Sequence, residues 1–429
     1  MAEPTTEGPH NPPSRLFPRV AAMMFLQYWP LGVWAVTVGT YIAANTGEQG
    51  EAIFSAGFAG YSTITGAVGS LVAPMVFGFL SDRLLPAERL VALLHLGCAA
   101  AAWWMSSCRD ELNFFIALLV YWNCFNPACA LTNKIALQHL PKPDRQYPHA
   151  RLFATGGWIS AGLFIGLVWP SLSGHSIEDT ATPILVGAAS NLVMACYALT
   201  LPYTRPNPLV GRGRPSLWRD ALRLLANRPL VLFLCASAAA CLSSMAYNAY
   251  ANLFLNWAGY SNPAALMTLG QVSDVLCLFA LPRLIARFGL RRLFLAGVAA
   301  WSVRYGLLTF ASATNSHAAV YAAILVHGPC YVFVYVAGLM LVDRLVDPGH
   351  RGAAQGLNAA ATTGLGHLGG ALMAGSAQET FLTPDGVSPP PYHWAEFWGI
   401  PALAATAATT LFVAILPKLV STNPPQHSD

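Results

Sequence analysis

The sequence predicts an all-α polytopic membrane protein, with twelve transmembrane helices in two six-helix bundles. Three observations predict it. Of 429 residues, 55% are hydrophobic and only 10% charged, against about 25% charged in a soluble globular protein; the mean hydropathy is +0.49. Twelve stretches stay apolar over roughly 20 residues, the length that crosses a hydrocarbon core of about 30 Å. One long basic connection then divides them six and six. Backbone polar groups in lipid must be satisfied within their own segment, so the spans are helices.

The expected domains are a disordered cytoplasmic tail over 1–16, a first bundle over 17–203, a cytoplasmic basic linker with an amphipathic helix over 204–228, a second bundle over 229–417 and a cytoplasmic tail over 418–429. The opening residues are polar and Pro-containing and lack the basic-then-apolar layout of a cleavable signal peptide. In the first bundle the spans cover about 17–44, 52–80, 89–107, 112–138, 150–172 and 181–203. In the second they cover about 229–257, 263–286, 292–313, 317–342, 352–377 and 394–417. Pro30, Pro74, Pro127, Pro282 and Pro329 interrupt five of them, as is common in transporter helices. The nine cysteines lie mostly in apolar runs with no paired spacing and read as packing residues, neither disulfides nor metal ligands.

Lys and Arg orient the chain. With the amino terminus inside, the outer loops hold only Arg109. The inner side holds Arg15, Arg83, Arg89, Lys142, Arg145, Arg287, Arg291, Arg292, Arg344, Arg351 and Lys418, among others. The positive-inside rule therefore places both termini in the cytoplasm, and an inner membrane of a bacterium is the expected location. The central connection from Arg205 to Arg228 holds six arginines and one acid, Asp220. Within it "SLWRDALRLLANRP" has helical spacing, with Leu217, Trp218, Ala221, Leu224 and Leu225 on one side. It reads as an amphipathic helix on the inner membrane surface or as a solvated basic linker.

A repeat supports the division. "GFLSDRLLPAERL" follows the second span and "PRLIARFGLRRL" the eighth, both short basic inner loops at the same place in each half. Parallel six-helix repeats around a midplane site are a known transporter plan. The first stretch resembles the loop signature of the major facilitator superfamily, through Gly78, Asp82, Arg83 and Arg89; the second copy lacks the acid.

Among nineteen Asp and Glu, Asp274 alone falls mid-span. A charge there costs about 2.5–3.5 kcal/mol even on the lenient insertion scale, so it should face a polar cavity or a partner. Burial disfavours the charged form of a carboxyl group, which suits Asp274 to exchange a proton during transport. The alternative is a static interhelical hydrogen bond or ion pair, with Arg304 as the candidate partner. Gln271 lies one turn earlier on the same face, and the pair can hydrogen-bond a polar neutral ligand. Asn248 and Asn252, four apart in the seventh span, could read base edges or hydroxyls, or bond neighbouring helices. Arg151, Thr155 and Trp158 share a face of the fifth span; Arg151 could equally be a positive-inside arginine. His327, Tyr331 and Tyr335 in the tenth suit stacking on a planar ligand or a packed stripe. Trp34, Thr37 and Tyr41 repeat that pattern in the first. His95 and His367 read as structural. No P-loop, zinc spacing or GxSxG elbow is present, so no catalytic or metal residue is assigned and no enzyme is expected.

Most of the chain resembles the nucleoside:proton symporters of the major facilitator superfamily. The likeness runs from "LQYWPLGVWAVTVGTY" to "GAAQGLNAAATTGLGHLGGALMAG" and includes "RLFATGGW", "QVSDVLCLFALPRLIARFGLRRL" and "AAWSVRYGLL". The resemblance implies a nucleoside site between the halves, contacted by Arg151, Thr155, Trp158, Asn248, Gln271 and Asp274; Tyr331 joins this candidate site. Members carry an acid in span ten where this chain has Val332 and a glutamine where it has Met245. Asp274 is then left as the acidic proton site, with His327 as a second candidate proton group. The expectation is a monomeric carrier importing nucleosides by proton symport with alternating access. It needs no cofactor beyond the coupling proton and binds no nucleic acid polymer. The alternatives are a carrier of the same fold for a sugar or nucleobase, or a non-transporting membrane sensor.

Overall fold

A computed structural model describes residues 16–47, 53–71, 73–206, 222–347, 350–382 and 392–420. They form twelve helical segments. In the first bundle, α1 is Leu16–Ala44; α2 comprises Phe58–Tyr61, Ile64–Leu71 and Ala73–Arg83; α3 is Ala87–Ser107 and α4 Glu111–His139. Helix α5 runs through Pro143–Leu163, Phe164–Val168 and Trp169–Ser173, and α6 is Thr182–Ala198. In the second, α7 comprises Arg228–Leu242 and Ser244–Trp257; α8 is Pro263–Phe288 and α9 Leu290–Thr314. Helix α10 runs through His317–Leu325, His327–Tyr331, Val332–Val336 and Ala337–Arg344. Helix α11 runs through Arg351–Ala359, Ala360–Gly366 and His367–Phe381, and α12 is Trp394–Val420.

Ten of these are long and apolar enough to cross a membrane. The other two are α6, a shorter apolar helix, and α11, whose Arg351, Gln355, Asn358, His367 and Gln378 make it more polar. Three boundaries move clearly from their expected places. Helix α5 starts at Pro143 rather than at 150, because proline at a first helical position lacks only an N–H that would be unpaired there anyway. Helix α6 stops at Ala198, short of 203, just before Pro202. The second span begins its helix at Phe58, not at 52, after Gly57 in a left-handed conformation with φ 82°. Side-chain caps fix other starts: Asp110 accepts the Asn113 N–H at 2.9 Å before α4, and Asn227 accepts the Leu230 N–H at 3.2 Å before α7.

The same packing occurs twice. In the first bundle the main contacts are α1–α5, α1–α6, α3–α6, α3–α4 and α2–α4. Adding six to each label gives the main contacts of the second: α7–α11, α7–α12, α9–α12, α9–α10 and α8–α10. The bundles meet through α1–α7, α2–α11 and α5–α8, pairs that also map onto one another. This pattern is a two-fold relation between six-helix units.

The closest approaches between bundles lie toward the end away from Leu16 and Val420. A Cβ at Gly39 would run into the Ala249 carbonyl oxygen, and one at Gly60 would run into the backbone of Gly375. Only glycine permits backbones this close. Trp34, Thr37 and Tyr41 are buried, with Trp34 edge-on to Tyr121 at 5.0 Å between ring centres. They pack the first bundle. All nine cysteines are free thiols.

Several expectations fall outside the described residues. The first six residues of the proposed amphipathic segment lie in 207–221; of its remaining apolar-side residues, Leu224 is buried and Leu225 exposed. Of the expected tails, 1–15 and 421–429 lie outside the described residues, while Leu16 opens α1 and α12 runs on to Val420. The side chains of Asp82 and Arg83 are also outside them.

Candidate functional site

Pro329 shapes the tenth helix where the site forms. Proline has no N–H to give to the carbonyl four residues earlier, which here belongs to Leu325. The Ser273 hydroxyl of α8 donates to that carbonyl at 2.6 Å, and the Gly328 N–H donates to the same Ser273 oxygen at 3.2 Å. Helices α8 and α10 are thus tied together beside Asp274. Gly270 faces the His327 ring with no room for a larger residue without displacement. The turn is followed by the wider helical segment Val332–Val336; such segments often occur at functional sites.

Across this junction runs a chain of polar groups. Arg304 on α9 is fully buried, and its Nη2 donates to His327 Nδ1 at 3.0 Å. His327 Nε2 lies 3.6 Å from Asp274 Oδ2. A ring nitrogen that accepts a hydrogen bond carries no proton, so the neutral His327 holds its N–H on Nε2, toward Asp274. The direct ion pair between Arg304 and Asp274, the alternative considered from the sequence, is replaced by this three-membered chain. The guanidinium carbon sits over the Tyr247 ring, 3.2 Å from its centre, a contact worth about 2 kcal/mol where water is excluded. Arg304 Nε and Nη1 and Asp274 Oδ1 are buried without hydrogen-bond partners among the described residues.

The chain continues into a stack. The His327 and Tyr331 rings lie 4.2 Å apart, and Tyr331 and Tyr335 lie 5.6 Å apart. The Tyr331 hydroxyl donates to Asn248 Oδ1 at 2.8 Å. Asn248 is exposed while its helical neighbours Tyr247 and Ala249 are buried. Gln271 is partly exposed one turn from Asp274. The structure therefore gathers Asn248, Gln271, Asp274, His327 and Tyr331 into one region of the second bundle. The Tyr335 hydroxyl also meets His367 Nε2 at 3.0 Å, which ties the end of the stack to α11.

Arg151, Thr155 and Trp158 lie in the first bundle on α5, each partly buried. The Arg151 guanidinium sits over Tyr28 of α1 at 4.5 Å, a partner the sequence did not single out. Asn252 parts company with Asn248: it is buried and bonds Thr40 and Glu178 of the first bundle. His95 is buried between Asn191 Oδ1 at 2.8 Å and Gln27 Oε1 at 3.0 Å, joining α1, α3 and α6. Val332 packs with Leu281, Leu293 and Phe333 in an apolar cluster. Met245 is also buried. Ser273 and Tyr247 were missed. The spacing of Pro329 from Leu325 marks a freed carbonyl in sequence, but nothing in sequence says which hydroxyl reaches it.

A model of the nucleoside H+ symporter family matches residues 15–419. YegT of Escherichia coli (strain K12) is 30% identical over 400 residues, covering 92% of this chain and 92% of its own. Xanthosine permease of the same organism is 27% identical over 422 residues, covering 93% and 94%. Among solved structures, nucleoside transporter NupG superposes with a TM-score of 0.80 at 22% identity, over 94% of this chain and 99% of NupG. The D-xylose-proton symporter superposes with a TM-score of 0.70 at 12% identity, over 95% and 100%. These superpositions place the fold in the major facilitator group.

Proposed function

Because the chain belongs to the nucleoside H+ symporter family, we propose that it imports nucleosides with Asp274 as the proton-carrying group. Membership makes it an integral membrane secondary transporter coupled to protons. The observation that carries the residue assignment is the Arg304–His327–Asp274 chain, which ends beside the exposed Asn248 through Tyr331.

In this reading Asn248, Gln271 and Tyr331 bind nucleoside from the second bundle, by amide hydrogen bonds and ring stacking. Arg151, Thr155 and Trp158 meet it from the first. With Asp274 ionised, its charge balances that of Arg304 across a neutral His327. A proton taken by Asp274 removes the negative end of that chain. His327 takes part in coupling by keeping its Nε2–H at the carboxylate, so the proton site senses the fixed charge of Arg304.

The positive-inside distribution supports a cytoplasmic location for both termini in a bacterial inner membrane. The end at which the bundles close together is then the outer one, and the site opens to the cytoplasm. A proton moving inward adds about 2.3 kcal/mol per 100 mV of membrane potential to the driving force. The test is uptake of a radiolabelled nucleoside panel into proteoliposomes. An imposed inward proton gradient should produce accumulation above equilibrium; binding without accumulation would overturn the reading.

A further inference from the structure

Glu178 lies in the α5–α6 connection of the first bundle, yet it is only 1% exposed. Each hydrogen bond it accepts comes from the second bundle. Asn252 Nδ2 donates to Oε2 at 2.8 Å and Asn256 Nδ2 to the same oxygen at 3.1 Å. The backbone N–H of Ala264 donates to Oε1 at 3.1 Å. Ala264 is in the first turn of α8, the helix that carries Gln271 and Asp274.

A helix start leaves backbone N–H groups unpaired and carries a partial positive charge. The residue in the capping position of α8, Asn262, makes no side-chain capping bond and has a left-handed φ of 55°. The cap is supplied from the other bundle by Glu178. Thr40 of α1 adds a bond to Asn252 Oδ1 at 2.5 Å. A buried carboxylate held by three donors on the opposing unit is stable only while the two units stay in contact.

We propose that Glu178 is the latch of the outer gate and positions α8 for transport. Its release from Asn252, Asn256 and Ala264 is the step that lets the bundles part on the outer side. Closed, it caps the helix bearing the proton site and excludes water from above it. Open, the carboxylate is hydrated by the outer medium and α8 loses its cap. This assignment rests on the orientation and alternating access proposed above.

The test uses the full chain in lipid nanodiscs, with Glu178→Gln, which removes the charge, and Asn252→Asp, which sets a second carboxylate against it. Backbone amide exchange over 262–268 should rise about tenfold in each, the effect of losing hydrogen bonds to a charged group. Exchange in α3 and α6 should stay unchanged. In a cysteine-free background, Thr268→Cys, buried beneath the seal, should react faster with an impermeant thiol reagent applied outside when Glu178 is replaced. Unchanged exchange and labelling in both variants would overturn the latch. Faster exchange throughout, α3 and α6 included, would also overturn it, since Glu178 would then hold the fold and not the gate. Nucleoside uptake by the unaltered chain is scored separately. Its failure removes the functional reading, while the exchange data still decide the latch.

Discussion

Arg304 reaches Asp274 only by way of His327: the guanidinium donates to one ring nitrogen at 3.0 Å, and the other lies 3.6 Å from the carboxylate. The arrangement keeps a cation and an acid within one buried unit without a direct ion pair. Desolvating two charges is costly, and a direct pair repays that cost only with good geometry and further hydrogen bonds. The intervening imidazole and the Tyr247 ring supply some of that compensation, and the Asp274 side chain keeps 23% exposure.

Asp274→Asn imitates the protonated side chain in shape and charge. The variant is expected to bind nucleoside and exchange it across the membrane. It should lose uphill accumulation and the pH dependence of uptake. Counterflow and gradient-driven uptake in proteoliposomes measure the two separately. Accumulation that persists in response to an imposed proton gradient would exclude Asp274 as the coupling site.

Asn248→Ala and Gln271→Ala remove polar groups from the accessible face of α7 and α8. A lost hydrogen bond between neutral groups is worth about 0.5–1.5 kcal/mol, a several-fold rise in dissociation constant. Equilibrium binding of labelled nucleoside should show that rise, with the melting temperature unaltered. Unchanged affinity in both variants would remove these residues from the site.

Ser273→Ala takes away the hydroxyl that satisfies the carbonyl freed by Pro329. A lost hydrogen bond between neutral groups is worth about 0.5–1.5 kcal/mol. Thermal unfolding in detergent should register a lower midpoint. Coupled uptake should fall with it, because α8 and α10 hold Asp274 and His327 in register. A midpoint equal to that of the unaltered chain would show that another group satisfies Leu325.

Orientation is tested with single cysteines in a cysteine-free chain. His175→Cys, exposed in the α5–α6 connection, should label in right-side-out vesicles with an impermeant reagent. Arg223→Cys, exposed in the central connection, should label only after permeabilisation. The reverse pattern would invert the topology.

The sequence by itself determined what depends on composition and on one-dimensional spacing. Lipid admits only apolar segments whose backbone bonds close internally, so the hydropathy pattern specified the helices; the long basic connection and the repeated short loops marked their division into halves. The solitary mid-span acid pointed to Asp274 for the same reason: an exposed charge there is too costly to be incidental. Only the tertiary structure decided which polar groups meet. Asn248 and Asn252 share a helical face by spacing, yet one is exposed beside Tyr331 and the other is sealed against Glu178. Glu178 looked like an ordinary loop acid because burial by an opposing bundle leaves no local mark in sequence. Arg304 was legible as a candidate partner of Asp274, but its link through His327 depends on how α8, α9 and α10 cross, and those crossings follow from packing among helices distant in the chain.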